Sequence, residues 1–408
     1  MTGTAHDHGP ATAHEPGDTF DTERALATLR ALCVPEMTGR APGSDGHDRA
    51  VGFLVSELTG SGLPPALEHF AISGVLRLSA PPYCGVQGPG YVRELVHRAE
   101  FAEHPRSAPM PAPVSAVASA DAGPGRWAVV RGSSQGPDFA ELADELAARG
   151  AVGMLVAQHA DASGYLTKRV QGPPPVQLPV VALLPDLLDA VTGGTLTAHV
   201  PLERAPAVGT NIVATLPGRA PDARPILLSA HYDGVGSDPE LHFPCAGDNA
   251  SGAAVLCETA RVLSRAEPLG RPVIFALLDG EEMGTLGSGH HARQLREREL
   301  RPDVLNIDMA GKFNGKVAVE LGPADPPPDD LIAALDASGR QLGIPLYAAP
   351  VASDNRRYAA AGLPSAGVGL GAAHYHSPLD SPERIEADAL RKAGQLTLAT
   401  IRHLAAHG

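Results

Sequence analysis

Residues 275–288 read FALLDGEEMGTLGS. An apolar run of strand length stops at Asp279, and after a glycine two carboxylates, Glu281 and Glu282, stand side by side. A short continuous apolar segment bounded by turn residues predicts a strand buried on both faces. In sheets of that kind, functional side chains gather in the loops at the carboxyl ends of the strands. Two touching acids repel one another, so their placement at such an end implies compensating cations.

The same pattern recurs on both sides of this stretch. From about residue 205, the segments NIVATL, PILLSA, SGAAVLCETARVLSR, RPVIFALL, DVLNID and GLPSAGVGL alternate strand-length and helix-length runs. That alternation predicts an α/β fold with a mostly parallel sheet covered on both faces by helices. PILLSA runs into His231, Tyr232 and Asp233, DVLNI into Asp308, and AGVGL is followed by His374, Tyr375 and His376. As parallel neighbours these strands would bring their terminal imidazoles and acids to one rim. Upstream, residues 19–60 carry Ala25, Leu26, Leu29 and Leu32, then Val51, Phe53, Leu54 and Leu58, near helical spacing. The loop MTGRAPGSDG separates the two runs. Residues 75–125, rich in proline, predict short strands and turns. From residue 126, WAVVRG, FAELADELAARG, AVGMLVA and LPVVALL predict a small second α/β module, its helix ending at Gly150.

Composition narrows the function. With 46 acids against 32 Lys plus Arg the formal charge is -14, the wrong sign for a polyphosphate backbone, so nucleic acid is not an expected partner. No run approaches the roughly 20 apolar residues of a membrane span. The first twenty residues lack the basic and apolar regions of a signal peptide, so a cytoplasmic location is expected. Residues 1–18, with His6, His8 and His14, are expected to form a disordered tail. Cys33, Cys84, Cys245 and Cys257 form no CxxC pair and are expected to be free thiols.

Each strand end contributes a different chemical pattern. Neutral imidazoles together with carboxylates are the donors zinc prefers. In AHYDG, Asp233 is placed to accept the second ring N–H of His231. In AGDNASG, Asp248 precedes the predicted helix 251–265, where it is either a metal-bridging carboxylate or an N-cap. Of the paired acids, one suits a ligand and the other a proton acceptor. LNIDMAG adds Asp308, and HYHSPLDS adds His376 beside Tyr375, which is either an oxyanion donor or a packing residue.

The order HxD, GDNASG, EExG, NxDMxG and YHSPLD resembles that of the co-catalytic zinc metallopeptidases of family M28. The resemblance covers residues 205–408 and reaches GRAPGSDG near the amino end. It implies a three-layer α/β/α sandwich of the phosphorylase/hydrolase-like type with two zinc ions. His231 and Asp308 would hold one ion, Glu282 and His376 the other, and Asp248 would bridge them. It further implies Glu281 as general base on a water between the metals, Asp233 as the orienting acceptor of His231, Tyr375 as a transition-state donor, and a cis peptide at Asp248–Asn249. Residues 76–204 resemble the protease-associated (PA) domain that many M28 enzymes insert, which makes the catalytic domain discontinuous, 19–75 with 205–408.

The implied function is hydrolysis of an amide bond in a small peptide or aminoacyl compound, most simply by an aminopeptidase. A biosynthetic amidase, a carboxypeptidase-like hydrolase of an acidic substrate and a glutaminyl-cyclase-like acyltransferase remain open. A receptor-like role is disfavoured, because all five ligands are present. ASDNRRYAAAGLPS departs from the family, which often has a His and aromatic residues there. Arg356 and Arg357 are therefore candidate clamps for an acidic substrate, or a solvated pair.

Overall fold

The computed structural model describes residues 19–88, 90–322 and 329–406. The tail 1–18 lies outside the described residues. Two eight-stranded sheets organise the chain. The larger runs, in spatial order, Ala66–Leu78, Leu202–Leu216, Val273–Leu278, Ile226–His231, Asp303–Ile307, Ser365–Gly369, Val317–Leu321 and Leu346–Ala348. Its middle four strands are mutually parallel. NIVATL differs from its parallel reading: it lies in Leu202–Leu216, antiparallel to both neighbours.

Alternation along the central strands explains why both faces are apolar. Phe275 and Leu277, with Ile226, Leu228, Leu305 and Val368, pack against one helical layer. That layer contains Thr22–Leu32, Asp45–Gly60, Ser251–Arg265, Asp329–Leu342 and Ala387–Ala406. Ala276 and Leu278, with Leu227 and Val304, face the opposite way toward Leu286–Glu297 and Asn355–Ala360. Each strand residue in 273–278 is buried, so the run is continuous rather than alternating in hydropathy.

The second sheet is built from residues 83–199, in the order Tyr91–Glu94, Tyr83–Gly88, Thr195–His199, Val114–Ser119, Trp127–Val130, Gly153–Ala157, Val180–Leu183 and Phe101–Glu103. Trp127 is fully buried in its core and donates its indole N–H to Leu196 O at 3.1 Å. A long antiparallel ribbon, Ala66–Leu78 against Leu202–Leu216, leads from the larger sheet to this unit. The boundaries drawn at 75/76 and 204/205 fall inside those paired strands.

Candidate metal centre

The carboxyl ends of the parallel strands converge as their register dictates. His231 is the last residue of Ile226–His231, Asp308 follows Asp303–Ile307, and Glu281 and Glu282 follow Val273–Leu278. Gly280, at φ 66°, provides the left-handed turn that carries the paired acids off the strand. His376 arrives from the loop after Ser365–Gly369, and Asp248 from the loop before Ser251–Arg265.

Two ligand groups result. Donor atoms of His231, Asp248 and Asp308 lie within 4.8 Å of one another, and so do those of Asp248, Glu282 and His376. Asp248 belongs to both, with Oδ1 at 3.2 Å from His231 Nε2 and Oδ2 at 3.4 Å from His376 Nε2. His231 Nε2 is also 3.4 Å from Asp308, and His376 Nε2 is 3.0 Å from Glu282. Glu281 is in neither group, yet it lines the same cleft of about 750 Å³ with Glu282, Tyr375 and His376. The Asp248–Asn249 peptide is cis. Cys245, Thr285, Met309, His374 and His376 all take positive φ, so left-handed non-glycine residues crowd the rim.

The supporting contacts account for several residues whose roles were not evident in the sequence. Asp233 accepts the backbone N–H groups of Glu281 and Glu282, each at 3.1 Å, while its Oδ1 lies 3.4 Å from His231 Nδ1. One carboxylate thus orients the paired acids and faces the first imidazole. Asn249 joins the Asp248 and Asp308 loops: its oxygen accepts from Gly252 and Met309 N–H, and its amide donates to Ile307 O. Asp380, from YHSPLDS, accepts the N–H groups of Gly247 and Asp248 at 2.7 and 3.1 Å. A side chain at Gly247 would collide with Ala372 and Asp380, which explains the glycine.

GRAPGSDG also acquires a physical role. Arg40 is fully buried and donates to the carbonyls of Tyr232, Leu32, Pro244 and Cys245 at 2.7–2.8 Å, tying the HxD strand to the Asp248 loop. His47 Nε2 meets Asp279 Oδ2 at 2.7 Å, and the same oxygen accepts Thr210 N–H. Asp279, the first acid after the strand, therefore anchors the amino-terminal helices rather than entering either ligand group.

Electrostatics favour cations here. Burial, together with Asp308, Asp354 and Glu282, raises the Glu281 carboxyl well above its usual range, and burial and Asp248 raise Glu282. Burial alone would depress His376, but Glu282 and Asp248 overcome it and hold the imidazole up to about 10. His231 is likewise raised by Asp308, Asp233 and Asp248 against the effect of burial. Burial pushes Asp354 up to about 7, and neither of its oxygens has a hydrogen-bond partner. Both ring nitrogens of His231 and Asp308 Oδ1 are buried without hydrogen-bond partners as well. Orphaned imidazole and carboxylate atoms facing one another, in an N/O donor set, fit zinc.

Tyr375 is 48% exposed and stacks on His376, with ring centroids 3.6 Å apart. Arg356 and Arg357, the candidate substrate clamps, are not among the residues that line the cleft. Arg356 pairs with Glu320 at 2.8 Å. Arg357 donates to Thr285 Oγ1 and Gly284 O, each at 2.7 Å, bracing the loop after the paired acids. Each guanidinium thus has protein acceptors for two of its nitrogens.

Residues 211–401 match the model of peptidase family M28. Aminopeptidase YwaD of Bacillus subtilis is 30% identical over 188 residues, covering 43% of this chain and 40% of that protein. A probable zinc metalloprotease of Leptosphaeria maculans is 33% identical over 121 residues, 29% of this chain and 27% of its own length. The chain thus matches less than half the length of these relatives. The solved structure of BSAP, a zinc aminopeptidase from Bacillus subtilis, superposes with a TM-score of 0.71 at 22% identity, covering 94% of this chain and 95% of that one. The fold of that structure therefore extends over both sheets of this chain, and residues 211–401 are similar to peptidase family M28.

Proposed function

We propose that the protein is a zinc-dependent exopeptidase, most simply an aminopeptidase, that hydrolyses an amide bond of a small peptide or aminoacyl compound. One observation carries this reading: of two adjacent acids, Glu282 falls within a ligand group while Glu281 stands outside both but in the same cleft. His231 and Asp308 would hold one zinc ion, Glu282 and His376 a second, and Asp248, which belongs to both groups, would be shared between them. Bound zinc supplies Lewis acidity toward the amide carbonyl and lowers the pKa of water. Glu281 takes the proton of the attacking water and returns it to the leaving amine. Asp233 keeps the Glu281–Glu282 backbone in place, and Tyr375, which lines the cleft, would donate to the developing oxyanion. The complete set of five ligands favours two metals over the one-zinc acyltransferase reading.

The test is a panel of aminoacyl anilides and N-acylated amino acids assayed with the zinc-loaded wild type and Glu281→Gln. The expected result is amide cleavage by the wild type and a loss of at least about 100-fold in kcat for the variant. Equal turnover by the two proteins would remove Glu281 from the mechanism. No hydrolysis of any compound by the wild type would overturn the exopeptidase reading.

A further inference from the structure

With Arg356 and Arg357 occupied elsewhere, the cation that does line the cleft comes from the second unit. Arg169 shares the cleft wall with Glu281, Glu282, Tyr375 and His376. Its two chain neighbours are pinned. Lys168 is 3% exposed, and its ammonium donates to Asp238 at 2.7 Å. Its backbone N–H donates to His376 O at 3.3 Å, and its carbonyl accepts from His376 Nδ1 at 3.1 Å. Val170 is 1% exposed, and its carbonyl accepts Leu76 N–H at 2.7 Å. Two buried anchors flanking an exposed arginine turn its side chain away from the protein interior and toward the cleft.

Among the described residues no carboxylate pairs with Arg169. That is unusual in a chain of formal charge -14 whose cleft also contains two glutamates. Arg169, Thr167 and Gln135 also line a neighbouring polar cleft of about 310 Å³ with His104, Gln158 and His159. Burial, then Arg106 and Arg169, push the His104 imidazole down to about 4, so it adds no second cation to this cleft, and the carboxylate that lines it, Glu103, is paired with Arg98.

We propose that Arg169 is the receptor for a carboxylate of the substrate, and that the substrate class is a short peptide whose leaving residue carries a free carboxylate. This rests on the amide-hydrolase reading. In a substrate cleaved next to a free amino terminus, the nearest carboxylate belongs to the residue beyond the scissile bond, either its terminal carboxyl or its side chain. Arginine binds such a group through paired N–H donors, and the backbone on either side of Arg169 is held before substrate arrives.

The experiment compares Leu-Leu, Leu-Leu-amide and Leu-Asp-amide. Steady-state kinetics are measured on the zinc-loaded wild type and Arg169→Met, and equilibrium binding by calorimetry on Glu281→Gln with and without Arg169→Met. A charge-assisted contact predicts that the wild type favours Leu-Leu over its amide by about 10- to 100-fold, mainly through KM. Arg169→Met removes that preference in both kinetics and binding, while hydrolysis of Leu-Leu-amide is retained. Arg169→Lys recovers part of it. If Leu-Asp-amide behaves like Leu-Leu, Arg169 accepts a side-chain carboxylate as well as a terminal one; if it behaves like Leu-Leu-amide, it accepts the terminal carboxylate alone. Equal use of Leu-Leu and its amide by the wild type, or a preference that survives Arg169→Met, overturns the proposal. Absence of hydrolysis of all three, with aminoacyl anilides also inert, overturns the amide-hydrolase reading itself.

Discussion

Asp238→Asn probes how the second unit is held over the ligand cluster. Asp238 is 6% exposed and accepts Arg98 Nε at 2.7 Å, Arg98 Nη2 at 3.1 Å and Lys168 Nζ at 2.7 Å. Arg98 also pairs with Glu103, and both Arg98 and Lys168 lie over the Phe243 ring. Breaking one partner of a buried ion pair costs about 3–5 kcal/mol. Asparagine keeps the shape and one acceptor, which places the effect near the lower figure, about 3 kcal/mol, or roughly a hundredfold in opening of segment 165–171. Lys168 carries the disturbance onward, because its carbonyl receives His376 Nδ1. Loss of such an outer contact to a metal-binding imidazole typically weakens the metal by about 10- to 100-fold. Hydrogen exchange over 165–171 should therefore accelerate about a hundredfold. In a competitive zinc titration one affinity should fall and the other stay unchanged. Unaltered exchange together with two wild-type affinities would refute the coupling. The pH dependence has a definite sign. Burial alone would raise the Asp238 carboxyl, but Arg98 and Lys168 hold it well below the usual carboxylate range. The pair's contribution is thus complete above about pH 4 and is lost only as pH falls through the depressed value.

Zinc must displace the protons that His231 and His376 hold in the metal-free chain, the latter up to about 10. Zinc affinity should therefore rise between pH 6 and 9, by at most about tenfold per unit for each proton displaced, and a flat profile in chelator competition would contradict this. His47→Ala leaves Asp279 buried without its 2.7 Å partner and should destabilise the fold by about 3–5 kcal/mol in denaturant titration with zinc stoichiometry unchanged. An unchanged midpoint would show that the pair contributes nothing.

The elements legible in the sequence were those whose signal is local. The central strands are continuous apolar runs ending in acids, and helix Ser251–Arg265 carries its own periodicity. The strand Ala66–Leu78 was not legible, because LEHFAISGVLRL mixes exposed and buried positions, shifts register between Ile72 and Val75, and acquires its partner more than a hundred residues later. Arg40 and Asp380 lay inside quoted motifs, but their partners are backbone groups of distant loops, which no side-chain pattern reveals. The partners of Arg356 and Arg357 were hidden for a similar reason. Two adjacent cations read as available charge, whereas Glu320 and the Gly284 carbonyl already bind them. Arg169 offered no sequence signal beyond one arginine among many. Its significance comes from the buried anchors on either side.

The central claim is that Glu281 and Glu282 are unlike partners, and zinc stoichiometry tests it most directly. Wild type, Glu281→Gln and Glu282→Gln would be loaded with zinc, freed of excess metal and measured by atomic emission alongside near-ultraviolet circular dichroism to establish folding. The account predicts two zinc ions per folded chain for wild type and Glu281→Gln, and one for Glu282→Gln. Equal stoichiometry in the two variants, or loss of metal from Glu281→Gln instead, would contradict it.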